Sequence, residues 1–262
     1  MPQAQSAVER QLRWLLRLLQ EWLDDPGVTD IFINGPDQLF MKRQGRNAGR
    51  ETSPTDRHLM DLYRAENWRA FLHLAVANGK NVVFAGEVGS GKTHNLRAFT
   101  NSIRLSARIV TIEDMPEILG LPHENVVNMF YSEGGQGTAR IAAEDLIVAA
   151  LRIGMDVLLM QELRNAAAFA YLRVLASGHP GMTTCLAASA EGAFDAIRLV
   201  VKQHQAGRHL ADDDVRAMLT SLIDVVAHCE CRDGRYRMTE IWYDPAAKGK
   251  AVRDTGVVLT AE

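Results

Sequence analysis

The stretch that most constrains this chain is "GEVGSGKT", Gly86 to Thr93. It has the spacing of a glycine, four residues, then Gly-Lys and a Ser or Thr. The apolar run "NVVFA" leads into it and the helical stretch "KTHNLRAFTNSI" leads out. Strand, glycine-rich loop and helix in that order make a phosphate cradle. Gly86, Gly89 and Gly91 let backbone N–H groups turn inward, and the helix N-terminus adds favourable partial charge. Glu87, Val88, Ser90 and His94 complete the predicted nucleotide-binding segment. Lys92 is expected to reach the β- and γ-phosphates, and Thr93 to place its hydroxyl on magnesium. The phosphates of a nucleotide and Mg2+ are therefore the expected ligands.

The rest of the chain supplies a setting for such a loop. After Gly79, short apolar runs alternate with helical stretches: "NVVFA", "RIVTI", "NVVNMF", "DVLLM" and "MTTCLA", with helices expected at 92–104, 141–153 and 165–176. Continuous apolar strands alternating with helices indicate a mostly parallel sheet covered on both faces. "IDVVAHCEC", "DG" and "RYRMTEIWY" read as a closing antiparallel hairpin. Upstream, residues 7–23 carry Val8, Leu12, Leu15, Leu16, Leu19 and Leu23 at helical spacing. That amphipathic helix would pack on the domain, on a neighbouring subunit or on a membrane surface. "TDIFI", "NGPD" and "QLFMK" then read as a hairpin. The polar stretch from Arg43 to Asp56 is broken by Gly45, Gly49 and Pro54, which makes it a linker candidate. The expected organisation is a small N-terminal domain over 1–49, a linker over 50–57 and a larger domain carrying the phosphate loop over 58–262.

Composition narrows the partners. The 262 residues are 47% apolar with a net charge of −3, so no bulk field favours nucleic acid or an anionic membrane. Stable nucleic-acid binding is not expected. Arg13 and Arg17 interrupt the first apolar run, so no signal peptide is predicted, and no stretch is long enough to span a bilayer. Cys185, Cys229 and Cys231 are too few and too close for a metal framework. They are expected to be buried small apolar residues of a protein in a reducing cytoplasm.

Hydrolysis needs carboxylates near the phosphates. In open parallel sheets ligands gather at the carboxyl ends of strands. "RIVTIEDMPE" ends its apolar run on Glu113 and Asp114, and "DVLLMQELR" ends its run on Gln161 and Glu162. His179, within "ASGHPGMTTCLAAS", reads by itself as part of a turn, since glycine and proline surround it.

Taken in order, "GEVGSGKT", "RIVTIEDMPEI", "ALRIGMDVLLMQELRNAAAF" and "SGHPGMTT" resemble the secretion-superfamily traffic ATPases of type II secretion, type IV pili and type IV secretion. "IDVVAHCECRDGRYRMTEIWYDP" and "VTDIFINGPDQLFM" are similar to the type IV secretion branch. The resemblance implies an α/β, RecA-like P-loop NTPase core with a mostly parallel sheet, preceded by a small, truncated α/β N-terminal domain. It implies a homo-oligomer, a hexameric ring, at the cytoplasmic face of the bacterial inner membrane. The ring would work with secretion-system inner-membrane proteins and make at most peripheral membrane contact. The expected function is an ATP-hydrolysing motor subunit of a type IV secretion system. The alternatives are a nucleotide-binding assembly module with weak or no hydrolysis, and a type II secretion or pilus motor.

Carried over by motif, Glu113 would orient or deprotonate the attacking water. Glu162 would hold magnesium together with Thr93, and His179 would contact the γ-phosphate. Arg108, Arg152 and Arg164 are secondary phosphate candidates, Arg164 serving equally well in an ion pair. The chain departs from the family in four places. Only "GRNAGRETSPTD" joins the first strands to the helix before the P-loop, where the family has a longer stretch. Leu186 or Ala187 stands where the family has a second histidine. Gln161 replaces a small residue, and Val88 and His94 replace threonines.

Overall fold

A computed structural model describes residues 24–35, 38–43, 59, 63, 65–132, 141–165 and 167–245. The expected helix over 7–23, the linker over 50–57 and the chain after 245 lie outside the described residues. The chain divides into two compact units, Met1–Ser53 and Pro54–Glu262. In the first, β1 (Val28–Gly35) and β2 (Gln38–Arg43) pair antiparallel with Phe32 opposite Phe40. This is the hairpin expected from "TDIFI" and "QLFMK".

The second unit holds a seven-stranded sheet. Its elements in chain order are α1 (Trp68–Ala77), β3 (Val82–Gly86), α2 (Lys92–Phe99), β4 (Ile109–Glu113), β5 (Val126–Phe130), α3 (Ala143–Arg152) and β6 (Val157–Met160). Then follow α4 (Ala167–Ala176), β7 (Gly181–Leu186), α5 (Gly192–Val201), α6 (Asp212–Leu222), β8 (Val225–Arg232) and β9 (Arg235–Tyr243). The spatial order is β5-β4-β6-β7-β3-β8-β9, parallel except for the final β8–β9 pair. The α/β class and mostly parallel sheet are those expected from the sequence. Helices α5 and α6 fall in a stretch where no element was expected.

Two apolar layers explain the continuous hydrophobic runs. Val83, Ala85, Val110, Ile112, Leu158 and Met160 face α3 to α6, packing on Ile147, Tyr171, Phe194 and Leu219. Val82, Phe84, Ile109, Leu159 and Met182 face the other way, onto Phe71 and Leu72 of α1 and Leu96 and Phe99 of α2. A strand covered on both faces has no polar side to alternate with. β3, β4 and β6 are accordingly buried along their whole length. Cys185 and Cys229 are buried as expected, whereas Cys231 is exposed because β8 runs on past the core.

The register sets what the site can contain. Val82 lies beside Met182 and Val225, and Gly86 beside Leu186 and Cys229. The carboxyl ends of β3, β4, β6 and β7 therefore share one edge of the sheet. Asp233 (φ 51°) and Gly234 (φ 70°) turn the last hairpin. Two successive positive φ values match the right-handed twist of the strands they join.

Candidate functional site

At the carboxyl end of β3 the chain tightens into the glycine-rich loop. Gly86 has φ 151°, and a Cβ there would lie 2.3 Å from the Cys229 carbonyl oxygen and 2.4 Å from Ser90 Oγ. Only glycine lets β3 and β8 run this close as the loop begins. Gly91, at φ 85°, is the left-handed residue that opens α2. The first-turn N–H groups of α2 face the loop, as anion binding requires.

Lys92 is buried, and its Nζ donates to the Glu87 carbonyl at 2.6 Å. Burial pushes its ammonium below the ordinary lysine range, opposed first by the Glu162 carboxylate. The lysine of the loop and the acidic end of β6 lie on the same carboxyl edge of the sheet. A cleft of about 530 Å3 runs along the loop, lined by Gly89, Lys92, Thr93, His94, Glu117 and Tyr236 among others. Val88 stands at the exposed tip of the loop.

The other acidic residues form a braced edge. Glu113 is fully buried, and both of its carboxylate oxygens are taken. Oε2 accepts the N–H groups of Glu117 (2.8 Å) and Ile118 (2.7 Å), and Oε1 lies 3.0 Å from the Thr111 hydroxyl. Glu113 thus folds the following loop back on the strand end. That loop delivers Glu117 to the cleft.

Gln161 braces the same loop from the neighbouring strand. Its Oε1 accepts from the N–H groups of Asp114 (3.0 Å) and Met115 (3.3 Å). A small residue at this position would have no such acceptor. Gln161→Ala is expected to lower stability by about 1–2 kcal/mol by leaving these N–H groups unpaired. Thermal melting checks this, and an unchanged midpoint would remove Gln161 from the brace. Arg164 bridges Asp114 and Glu162, with Glu162 Oε2 at 2.5 Å. It holds the ion pair foreseen as its other role.

Three expected site residues are elsewhere. Arg108 immediately precedes β4, donates from Nη1 to Asn125 at 2.7 Å, and lies at the amino end of the strand. Arg152 ends α3, at the turn into the amino end of β6. His179 precedes β7, which runs parallel to β3 and reaches the loop only at Leu186. Seven residues of extended chain put His179 about 20 Å from that end. Its Nδ1 lies 2.9 Å from Ser177 Oγ, within its own turn. Within this chain His179 therefore sits in its own turn, and the γ-phosphate contact expected of it is not made at the loop of the same chain. The same holds for the contacts expected of Arg108 and Arg152. His179→Ala is expected to leave ATP affinity and turnover unchanged in steady-state assays, and a tenfold loss would return it to the site.

Glu117 and Tyr236 were not foreseen. Glu117 carried a signal, since "EDMPE" repeats an acidic residue four positions after a strand-end glutamate. Tyr236 carried none. It lies far from Gly91 in sequence and arrives through the pairing of β8 with β3.

Magnesium is compatible with these residues. Mg2+ takes few protein oxygens and keeps waters and substrate phosphates as its other ligands. The donors on this edge are of that kind, the Thr93 hydroxyl and the Glu162 carboxylate. Among the described residues no cluster of three or more His, Cys, Asp or Glu forms a metal cage of its own.

Comparison with known proteins places this arrangement. The family model "Type II/IV secretion system protein" matches residues 62–250. The type IV secretion system protein VirB11 of Bartonella quintana (strain Toulouse) is 41% identical over 196 residues, 74% of this chain and 55% of that protein. The type IV secretion system protein PtlH of Bordetella pertussis (strain Tohama I) is 37% identical over 239 residues, 89% of this chain and 65% of that protein. The chain thus spans a little over half to about two thirds of the length of these relatives. The crystal structure of the VirB11 ATPase from the Brucella suis type IV secretion system, in complex with sulphate, superposes with a TM-score of 0.81. It is 26% identical, over 90% of this chain and 98% of that one. The matched family segment contains the loop, both acidic strand ends and the closing hairpin, and the chain belongs to the type II/IV secretion system protein family.

Proposed function

We propose that this chain binds ATP with magnesium, hydrolyses it, and serves as a motor subunit of a type IV secretion system. The observation that carries the reading is the convergence of Lys92, Thr93 and Glu117 in one cleft, with Glu162 coupled to Lys92. The relatives' names, VirB11 and PtlH of type IV secretion systems, supply the process.

Each residue has a physical task. The N–H groups of the Gly86–Thr93 loop and the Lys92 ammonium bind the β- and γ-phosphates. The Thr93 hydroxyl and the Glu162 carboxylate would hold magnesium, which would neutralise charge developing on the phosphates. Glu117 orients the attacking water and accepts its proton. Glu113 and Gln161 fix the 114–118 loop that carries Glu117, so the water-orienting role expected of Glu113 passes to its neighbour. Arg164 limits the freedom of Glu162 and Asp114.

As a subunit of this kind the chain would form homo-hexamers and act on inner-membrane proteins of the secretion system from the cytoplasmic face. No helix among the described residues is long and apolar enough to cross a membrane. One observation favours the second reading, an assembly module with weak turnover. Leu186 is 47% exposed at the carboxyl end of β7, where the resemblance leads to a histidine. Magnesium-dependent ATP hydrolysis proportional to protein and lost in Lys92→Ala supports the motor. ATP binding without turnover supports the module, and no ATP binding overturns both.

A further inference from the structure

We infer that Tyr236 is the platform on which the base of the nucleotide stacks, so that base contact is built into the ATPase core itself. The inference rests on the nucleotide reading of the cleft and adds the group that holds the end of the ligand opposite the phosphates.

Tyr236 is the second residue of β9, directly after the Asp233-Gly234 turn and opposite Cys231 of β8. β8 borders the P-loop strand, with Cys229 beside Gly86. The hairpin tip therefore runs on past the strand ends and alongside the loop. A Cβ on Gly91 would lie 3.0 Å from Tyr236 Cδ1 and 3.5 Å from Cε1. One edge of the ring thus rests against the backbone that opens α2, one residue before Lys92.

The rest of the ring is free. Tyr236 is 67% exposed, and it lines the same cleft as Lys92 and Thr93. Among the described residues its hydroxyl makes no hydrogen bond and its ring pairs with no other ring. The other tyrosines of this face are employed in packing. Tyr63 and Tyr243 meet each other and Phe71 in tilted or edge-on contacts, at 5.0–5.8 Å between centroids. Packing thus accounts for Tyr63 and Tyr243 but not for an open aromatic face beside a phosphate loop.

Stacking explains it. Every nucleobase presents a π-face, and a tyrosine ring offers a rigid partner at little entropic cost. A cleft of about 530 Å3 is within the range that holds a small-molecule ligand. With phosphates at Lys92 and Thr93, the remainder of the nucleotide extends along the cleft towards Tyr236.

The test separates base from phosphate. Binding of magnesium ADP and of magnesium pyrophosphate to the whole chain is measured by calorimetry for wild type, Tyr236→Ala and Tyr236→Phe. Loss of one base–aromatic stack is worth about 5- to 150-fold in affinity. Tyr236→Ala is expected to weaken ADP by that factor and leave pyrophosphate unchanged, while Tyr236→Phe keeps ADP binding. Wild-type ADP affinity in Tyr236→Ala overturns the platform. So does an equal loss for ADP and pyrophosphate, which would make Tyr236 a prop for Gly91 and the loop. A wild-type chain that binds neither ligand instead overturns the nucleotide reading beneath it.

Discussion

Lys92→Ala is expected to lower magnesium-dependent ATP turnover by at least about a hundredfold, the scale on which a preorganised charge at a developing oxyanion acts. The same substitution is expected to leave the fold at least as stable as wild type. Burial holds the Lys92 ammonium below its ordinary range. In the interval between its folded and unfolded pKa values the unfolded chain binds more protons, so stability rises with pH there. Below the folded value the buried charge costs the fold its full penalty. Alanine removes that penalty together with one hydrogen bond to the Glu87 carbonyl. An activity assay and a thermal melt on the same preparation check both halves. Turnover retained in Lys92→Ala would remove the enzyme reading, and a collapsed melt would show that Lys92 holds the loop rather than the substrate. The sign also fixes a pH trend. Lys92 loses its proton at lower pH than an exposed lysine, so ATP affinity should begin to decline on the alkaline side at lower pH than a lysine of ordinary pKa would allow.

How much of this site was legible follows from how local each signal is. The P-loop is a contiguous motif between two contiguous elements, and it stands where the pattern put it. Glu113 and Glu162 were legible as strand ends, because an apolar run that stops on a carboxylate marks the carboxyl edge of a buried parallel strand. The same rule, applied to "GHPGMTTCLA", puts His179 before its strand and on the far edge, and it puts Arg108 there as well. Likeness of motif concealed that polarity, and the register of β7 on β3 restores it. Gln161 was visible as an unusual residue, but its task depends on where β4 ends relative to β6. Tyr236 depends on a pairing between strands more than a hundred residues apart, which periodicity cannot encode.

A matched pair of substitutions separates Glu117 from Glu113. Glu117→Gln is expected to cut kcat by about 10²- to 10⁴-fold, the range of a general base, with ATP affinity and melting midpoint unchanged. Its side chain is exposed to the cleft, so the amide costs the fold nothing. Glu113→Gln is expected to keep most of the turnover. The glutamine oxygen can still accept the two N–H groups of Glu117 and Ile118, and its amide nitrogen can donate to the Thr111 hydroxyl. That hydroxyl is then free to donate to Asn128 Oδ1 at 2.9 Å. Glu113→Ala has no such substitute. Each buried N–H left unpaired costs about 1–3 kcal/mol, and the loop that presents Glu117 comes loose, so stability and turnover should fall together. If Glu113 were the base, Glu113→Gln would lose turnover at constant stability and Glu117→Gln would not. The two glutamine variants, assayed side by side at saturating ATP, therefore decide which carboxylate meets the water. The geometry favours the exposed one in the cleft, because Glu113 is fully buried and already accepts from two N–H groups and a hydroxyl, so no face of its carboxylate is open to a water.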